Sequence, residues 1–219
     1  MEENIKKGAY ATLVATHDYT WGAICCAISA KIAEVKYPFY FLVNENVYDE
    51  DFYNQLKETL KPLDIRVRVV KNLNFNTKID ERYKCTLQKL EILLLEEEKV
   101  IFLDADTILY YNADRLFDLN NPYIFENRHN YDPTVLPYRF CGECFLITTS
   151  ASDYEFLLQA IKDEETVGDM FKKLKDDEDL YAFLYGYKVT NSFEAADSIF
   201  KYVGHYAQMP KYWLKEDIN

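Results

Sequence analysis

Lys99-Val100-Ile101-Phe102-Leu103 is apolar at four successive positions and stops on Asp104-Ala105-Asp106. A strand with no polar alternate is buried on both faces, which calls for a parallel sheet covered by helices on either side. The rest of the first half obeys the same rule. Residues 9–15 and 39–43 are short apolar runs, and residues 65–70 form a third, β-branched run. Between them, residues 20–34 place Ile24, Ala27, Ile28 and Ile32 at helical spacing. Residues 51–60 read as an exposed helix closed by Pro62, and residues 85–97 put Leu87, Leu90, Leu93 and Leu94 on one helical face. Alternating strands and helices predict an α/β chain around a Rossmann-like, mostly parallel central sheet with helices on both faces. In such sheets ligands gather beyond the carboxyl ends of the strands. Two segments meet that rule at one mouth: Thr16-His17-Asp18-Tyr19 and Asp104-Ala105-Asp106.

Beyond residue 115 the pattern loosens. Residues 123–126 and 140–148 read as strands, residues 153–162 and 177–185 as helices, and residues 199–203 as irregular or strand-like. At 219 residues the chain is long enough for one domain and short for two. It has 37 acidic against 25 basic residues, a net charge of −12. That balance argues against a nucleic-acid binder or a protein held on anionic membranes. No leader-like segment follows Met1 and no run of about 18 apolar residues exists, so no membrane span is expected. The five cysteines read as reduced thiols, which points to the cytoplasm. Cys141 and Cys144 lack the second Cys pair or His pair that would complete a zinc site.

Two carboxylates one residue apart, just past a buried strand, can both reach one hard cation of the Mg²⁺ or Mn²⁺ kind, which leaves room for phosphate oxygens. Two enzyme classes share that local look. In a haloacid-dehalogenase-type phosphatase, Asp104 would be the nucleophile, with Asp106 and Thr107 beside it. In a metal-dependent glycosyltransferase, the same pair would hold metal and nucleotide diphosphate. A third reading is a non-catalytic nucleotide-sugar-binding protein.

Four further segments separate these readings. Through residues 9–19, 86–90, 104–107 with 114–117, and 205–213, the chain resembles the glycogenin-like glycosyltransferases of family 8, which have the GT-A fold. Residues 9–19, Ala-Tyr-Ala-Thr-Leu-Val-Ala-Thr-His-Asp-Tyr, resemble that family's opening strand and nucleotide loop. Thr86-Leu87-Gln88-Lys89-Leu90 resembles the segment ahead of its Asp-x-Asp. Asp104-Ala105-Asp106-Thr107 with Asp114-Arg115-Leu116-Phe117 resembles the motif and its following turn. His205 through Lys211 to Trp213 resembles its closing His-x5-Lys-x-Trp. The matches keep the family's order from residue 9 to residue 213.

The resemblance implies a single GT-A domain over residues 1–219, with a nucleotide-binding half at 1–115 and an acceptor- and sugar-binding half at 116–219. It implies a retaining transferase that moves a hexose from a UDP-sugar to a hydroxyl of a glycan, protein or small molecule, and it leaves a homodimer open. Leu13, Ala15, Asp18 and Tyr19 would line the uridine pocket, with the Tyr19 ring stacked on the base. Asp104, Asp106 and His205 would hold Mn²⁺, with Mg²⁺ as the substitute, and Ala105 would lie against the nucleotide. Lys211 would neutralise the departing diphosphate. Lys89 would reach the donor sugar or phosphate; its other reading is an ordinary helix-surface lysine. In place of the family's Asn-Ser-Gly-like stretch the chain has Phe140-Cys141-Gly142-Glu143-Cys144, so Cys141 and Gly142 become the candidate sugar contacts. In place of its Asp-Gln pair stand Asp177 and Glu178, which would hold sugar hydroxyls near the anomeric carbon or simply favour a helix N-terminus.

Overall fold

A computed structural model describes residues 7–73, 85–118, 142–162 and 181, together with the backbone of 203–205. The expected strand at 123–126, the helix at 177–185 apart from Tyr181, and the candidate residues Cys141, Asp177, Glu178 and Lys211 lie outside the described residues.

The first half alternates as its apolar pattern dictates. Strand β1 (Gly8–Val14) leads through helix α1 (Thr20–Ile32) to β2 (Phe39–Asn44), and helix α2 (Glu50–Leu60) leads to β3 (Ile65–Val70). Strand β4 (Lys99–Leu103) turns directly into the short β5 (Thr107–Leu109). After residue 118 come β6 (Cys144–Thr148), α3 (Ala151–Lys162) and the three-residue β7 (Val203–His205). Every residue of β1 and β2 is buried, as a strand covered on both faces requires.

The main sheet has the order β3-β2-β1-β4-β6, and β5 pairs with β7 in a separate two-stranded sheet. β1, β2, β3 and β4 run parallel, while β6 is antiparallel to β4. The chain steps outward from β1 to β3, then returns to lay β4 on the other side of β1. That reversal makes a topological switch point between the carboxyl ends of β1 and β4, the place where open α/β sheets take ligands.

Local signals explain the element ends. Asp49 caps α2 by accepting a hydrogen bond from Phe52 N at 2.9 Å. Glu34 and Asp64 take left-handed backbone (φ 56° and 53°) where the chain leaves α1 and the turn after α2. Asp114, in the turn Asp114–Asp118, gathers three donors onto its carboxylate: Tyr10 Oη at 3.0 Å, Lys36 N at 3.0 Å and Asn112 Nδ2 at 3.1 Å. The downstream half of the motif is therefore a joint that locks β1 to the loop ahead of β2. Burial and the Asp114 charge together push the Tyr10 phenol far above its ordinary range.

Phe117 of the same turn lies edge-on to Tyr10, ring centroids 5.3 Å apart, and 4.5 Å from Tyr37. It also lies against Gly8, where an added Cβ would stand 2.3 Å from Phe117 Cδ1. A ring wedged between two others cannot retreat. Gly8→Ala is expected to cost about 1–3 kcal/mol of stability, read as a lower urea midpoint with an unchanged m-value.

The segment over residues 85–97 departs from expectation. An α-helix with one leucine face is predicted; the chain instead forms 3₁₀ turns over Cys85–Leu94, with Leu87 through Leu93 all buried. The reason lies in its polar residues, which face inward to partners. Gln88 Nε2 donates to Asn72 Oδ1 at 2.8 Å, and Glu91 accepts a short hydrogen bond from the Tyr154 hydroxyl of α3. A segment with polar anchors on several sides follows them rather than one leucine stripe.

Candidate functional site

Five stretches meet at the switch point. The β1–β4 ladder ends at Ala11 opposite Phe102, whereas the β1–β2 ladder continues to Val14 opposite Val43. The last residues of β1, Leu13 among them, therefore border the crevice on their β4 side. Leu13's side chain is in the core, and Ala15, just past the strand, is partly buried against it. Asp18 is exposed and Tyr19 borders on exposure, in the 3₁₀ turn His17–Tyr19 that opens α1. The Tyr19 phenol is held above its ordinary range, first by partial burial and then by the carboxylates of Asp106 and Asp104. The first loop and the acidic pair thus share one mouth, as their positions after β1 and β4 predict.

The acidic pair sits in a reversal. Thr107 N donates to Asp104 O at 2.9 Å, closing the turn that sends β4 into β5. Ala105 and Asp106 are buried in this turn, while the Asp104 side chain keeps partial exposure. The thiol of Cys26, fully buried in α1, is pushed up by desolvation and also feels both carboxylates, so α1 backs the pair from behind. Ser29 of α1 fixes the distance. Its hydroxyl donates to Cys26 O at 2.6 Å and accepts from Leu109 N at 2.9 Å, which ties β5 to the helix. No motif in the sequence marks Ser29; a lone serine on the buried side of an apolar helix is its one signal.

Lys89 is buried, and the surface-lysine reading fails. Its ammonium lies 3.2 Å from Asp104 Oδ1, donates to Gly142 O at 3.0 Å, and stands 5.2 Å from the centroid of the Phe102 ring. Gly142 reaches this point because the β4–β6 ladder carries one step past Leu103–Cys144, where Asp104 N donates to Glu143 O at 2.8 Å. Tyr181, three residues after Glu178 in sequence, is buried, and its hydroxyl donates to Lys89 O at 3.0 Å. Lys89 is the point where the 85–94 turns, the acidic pair, the Gly142 loop and the second half of the chain join.

His205 comes to the acidic pair through the backbone. β7 is antiparallel to β5 with Thr107 directly opposite His205, and such opposed residues have Cα atoms about 4.5–5.5 Å apart. Residues 99 positions apart in sequence, Asp106 and His205, are thereby brought to neighbouring stations of one small sheet. Among the described side chains the acidic pair stands without a third His, Cys, Asp or Glu to complete a metal cluster. Two carboxylates offering oxygen donors beside an arriving imidazole-bearing residue suit a hard or borderline divalent ion. Cys25 is an exposed thiol and Cys26 a buried one, and no described helix is long and apolar enough to cross a membrane.

No protein-family model matches the sequence, and comparison with the curated proteins finds no significant match. Solved structures do match. The galactosyltransferase LgtC, in complex with donor and acceptor sugar analogues, superposes with a TM-score of 0.61 at 15% identity, over 91% of this chain and 87% of LgtC. The apo form of the glycosyltransferase GlyE of Streptococcus pneumoniae TIGR4 superposes with a TM-score of 0.55 at 16% identity, over 89% of this chain and 49% of GlyE. The chain spans under half the length of GlyE. It therefore has the GT-A-type α/β fold found in these glycosyltransferases.

Proposed function

We propose that the protein is a retaining, Mn²⁺-dependent hexosyltransferase that takes a UDP-sugar, most simply UDP-glucose, and glycosylates a hydroxyl. The observation that carries this reading is the β5–β7 register, which sets the strand holding His205 against the residue that follows Asp106. A phosphatase built on Asp104 would have no use for that pairing, nor for an aromatic loop facing the same carboxylates.

In this reading the open edge of β1 reads the uracil through backbone groups of residues 13–16, and the Tyr19 ring stacks on the base. Asp104, Asp106 and His205 would hold the metal, which supplies positive charge at the diphosphate when bound. Lys211 neutralises the diphosphate as it departs, which favours the charge developing in the transition state. Lys89, Cys141 and Gly142 border the donor sugar, and Asp177 and Glu178 hold its hydroxyls. The acceptor hydroxyl enters on the face from which UDP leaves, so configuration is retained without a covalent intermediate on the protein.

The test is UDP release from UDP-glucose with Mn²⁺, with and without candidate acceptors. Turnover that stops on chelation and returns with added Mn²⁺ supports transfer chemistry. Tight UDP binding without turnover on any acceptor would make the chain a binding protein instead. Hydrolysis of phosphate monoesters without affinity for UDP would move it to the phosphatase class.

A further inference from the structure

Helix α1 is apolar all the way round. Its 13 residues, Thr-Trp-Gly-Ala-Ile-Cys-Cys-Ala-Ile-Ser-Ala-Lys-Ile, contain a single charge, Lys31. A helix of this composition is normally covered on every side. Here Gly22, Ala23, Cys26, Ala27, Ser29 and Ala30 face the interior. The opposite side carries Trp21 (65% exposed), Cys25 (exposed), Ile28 (36%) and Ile32 (77%). By contrast α2, also on the surface, presents Glu50, Asp51, Lys57 and Glu58 outward. Along the flank of α1 runs the strand end tied to Ser29, continuing to Asn112, whose amide donates to Glu34 O at 2.7 Å. That segment adds two more exposed rings, Tyr110 and Tyr111.

We infer that this face is a self-association surface, on which α1 of a second copy packs antiparallel about a two-fold axis. Three observations choose a second copy as the occupant. First, positions 21, 25, 28 and 32 repeat at spacings of four, three and four, the seam of a paired helix. That spacing is symmetric about its midpoint. An isologous antiparallel contact sets Trp21 against Ile32 of the other copy and Cys25 against its Ile28, so every residue of the seam finds an apolar partner. Second, the exposed parts of Trp21, Ile28, Ile32, Tyr110 and Tyr111 amount to roughly 700 Å² of surface, close to the ~800 Å² that each partner gives to a standard interface. Third, each copy carries a net charge of −12. Two such copies meet most readily where acids are few, and the four seam positions carry none, with the exposed Asp18 and Glu34 lying beyond its two ends. An anionic membrane would require a basic rim that this face lacks. Cys26, which feels the acidic pair, is on the buried side of α1, and the seam is on the exposed side.

Sedimentation velocity on the full chain, from about 1 to 100 μM at low and high salt, tests the inference. The wild type is expected to reversibly form a dimer, more tightly at high salt, because salt screens the repulsion between acidic copies while leaving the apolar contact. Ile28→Glu puts a carboxylate at the centre of the seam and is expected to weaken association at least 100-fold. Ile32→Glu, at the most exposed seam position, does the same with little demand on the fold. Unchanged circular dichroism in either variant shows that the loss is one of association. The inference is overturned if the wild type stays monomeric at 100 μM in both salts, if both variants dimerise like the wild type, or if monomeric wild type instead floats with neutral phosphatidylcholine vesicles. The readout involves no catalysis, so its failure leaves the transferase reading standing, and an inactive dimer would leave this one standing.

Discussion

Asp106→Asn is expected to lower metal-dependent UDP release by about 10³-fold or more, with the fold intact. Asn keeps the shape of Asp but removes the charge that a divalent ion needs from an oxygen ligand. A thousandfold loss corresponds to about 4 kcal/mol of transition-state stabilisation, within reach of an ion that neutralises a departing diphosphate. The side chain is buried in the β4–β5 turn, so water cannot readily enter as a replacement ligand. The check is a titration of rate against Mn²⁺. Loss of affinity for the ion moves the curve to higher concentration; loss of an acid or base role lowers its plateau. An Asp106→Asn protein with wild-type turnover at low Mn²⁺ would remove Asp106 from the site.

Lys89→Met is expected to affect both activity and stability. Met matches the lysine stem in length and loses only the ammonium. That ammonium lies between Asp104 Oδ1 and Gly142 O, above the Phe102 ring. Removing it leaves a carbonyl oxygen without this donor and a carboxylate without this counter-ion. A fully buried pair would cost about 3–5 kcal/mol to break. Asp104 keeps contact with water, so a loss of about 1–3 kcal/mol is the better expectation. For a chain of this size that lowers the Tm by about 2–4 °C per kcal/mol. Turnover should fall by about 10²-fold, since the Gly142 loop and Asp104 both lose their common anchor. Lys89→Arg should not restore it, because a planar fork does not fit a slot made for a point charge. If Lys89→Met unfolds at the wild-type temperature, the ammonium contributes nothing net to holding the mouth together.

The central sheet was legible because its signal is local. Unbroken apolar runs such as Val100–Leu103 allow only strands covered on both faces, and the alternation with helices allows few topologies. The mouth followed, since the loops after β1 and β4 must share the crevice where strand order reverses. Lys89 was less legible. A lysine among leucines at helical spacing looks the same on paper whether it faces water or a carboxylate, and only the 3₁₀ course of residues 85–94 turns it inward. Asp114 reads as part of a motif, yet its partners include the Tyr10 hydroxyl and the Lys36 amide, and no spacing announces a carboxylate serving donors 104 and 78 residues away. Ser29 carries no mark of its own in the sequence, because its acceptor role depends on Leu109, 80 residues away.

What the sequence determined by itself is therefore the four strands β1 to β4, their parallel run, and the pair of carboxylates waiting at the end of β4. Hydrophobic periodicity encodes these within a few residues of chain. The tertiary structure alone decided which side chains meet: Lys89 with Asp104 and Gly142, the strand of His205 with that of Thr107, and a helix whose outer face carries Trp21 and Ile32 into solvent. Those partners lie far apart along the chain, and their meeting depends on how every intervening element packs.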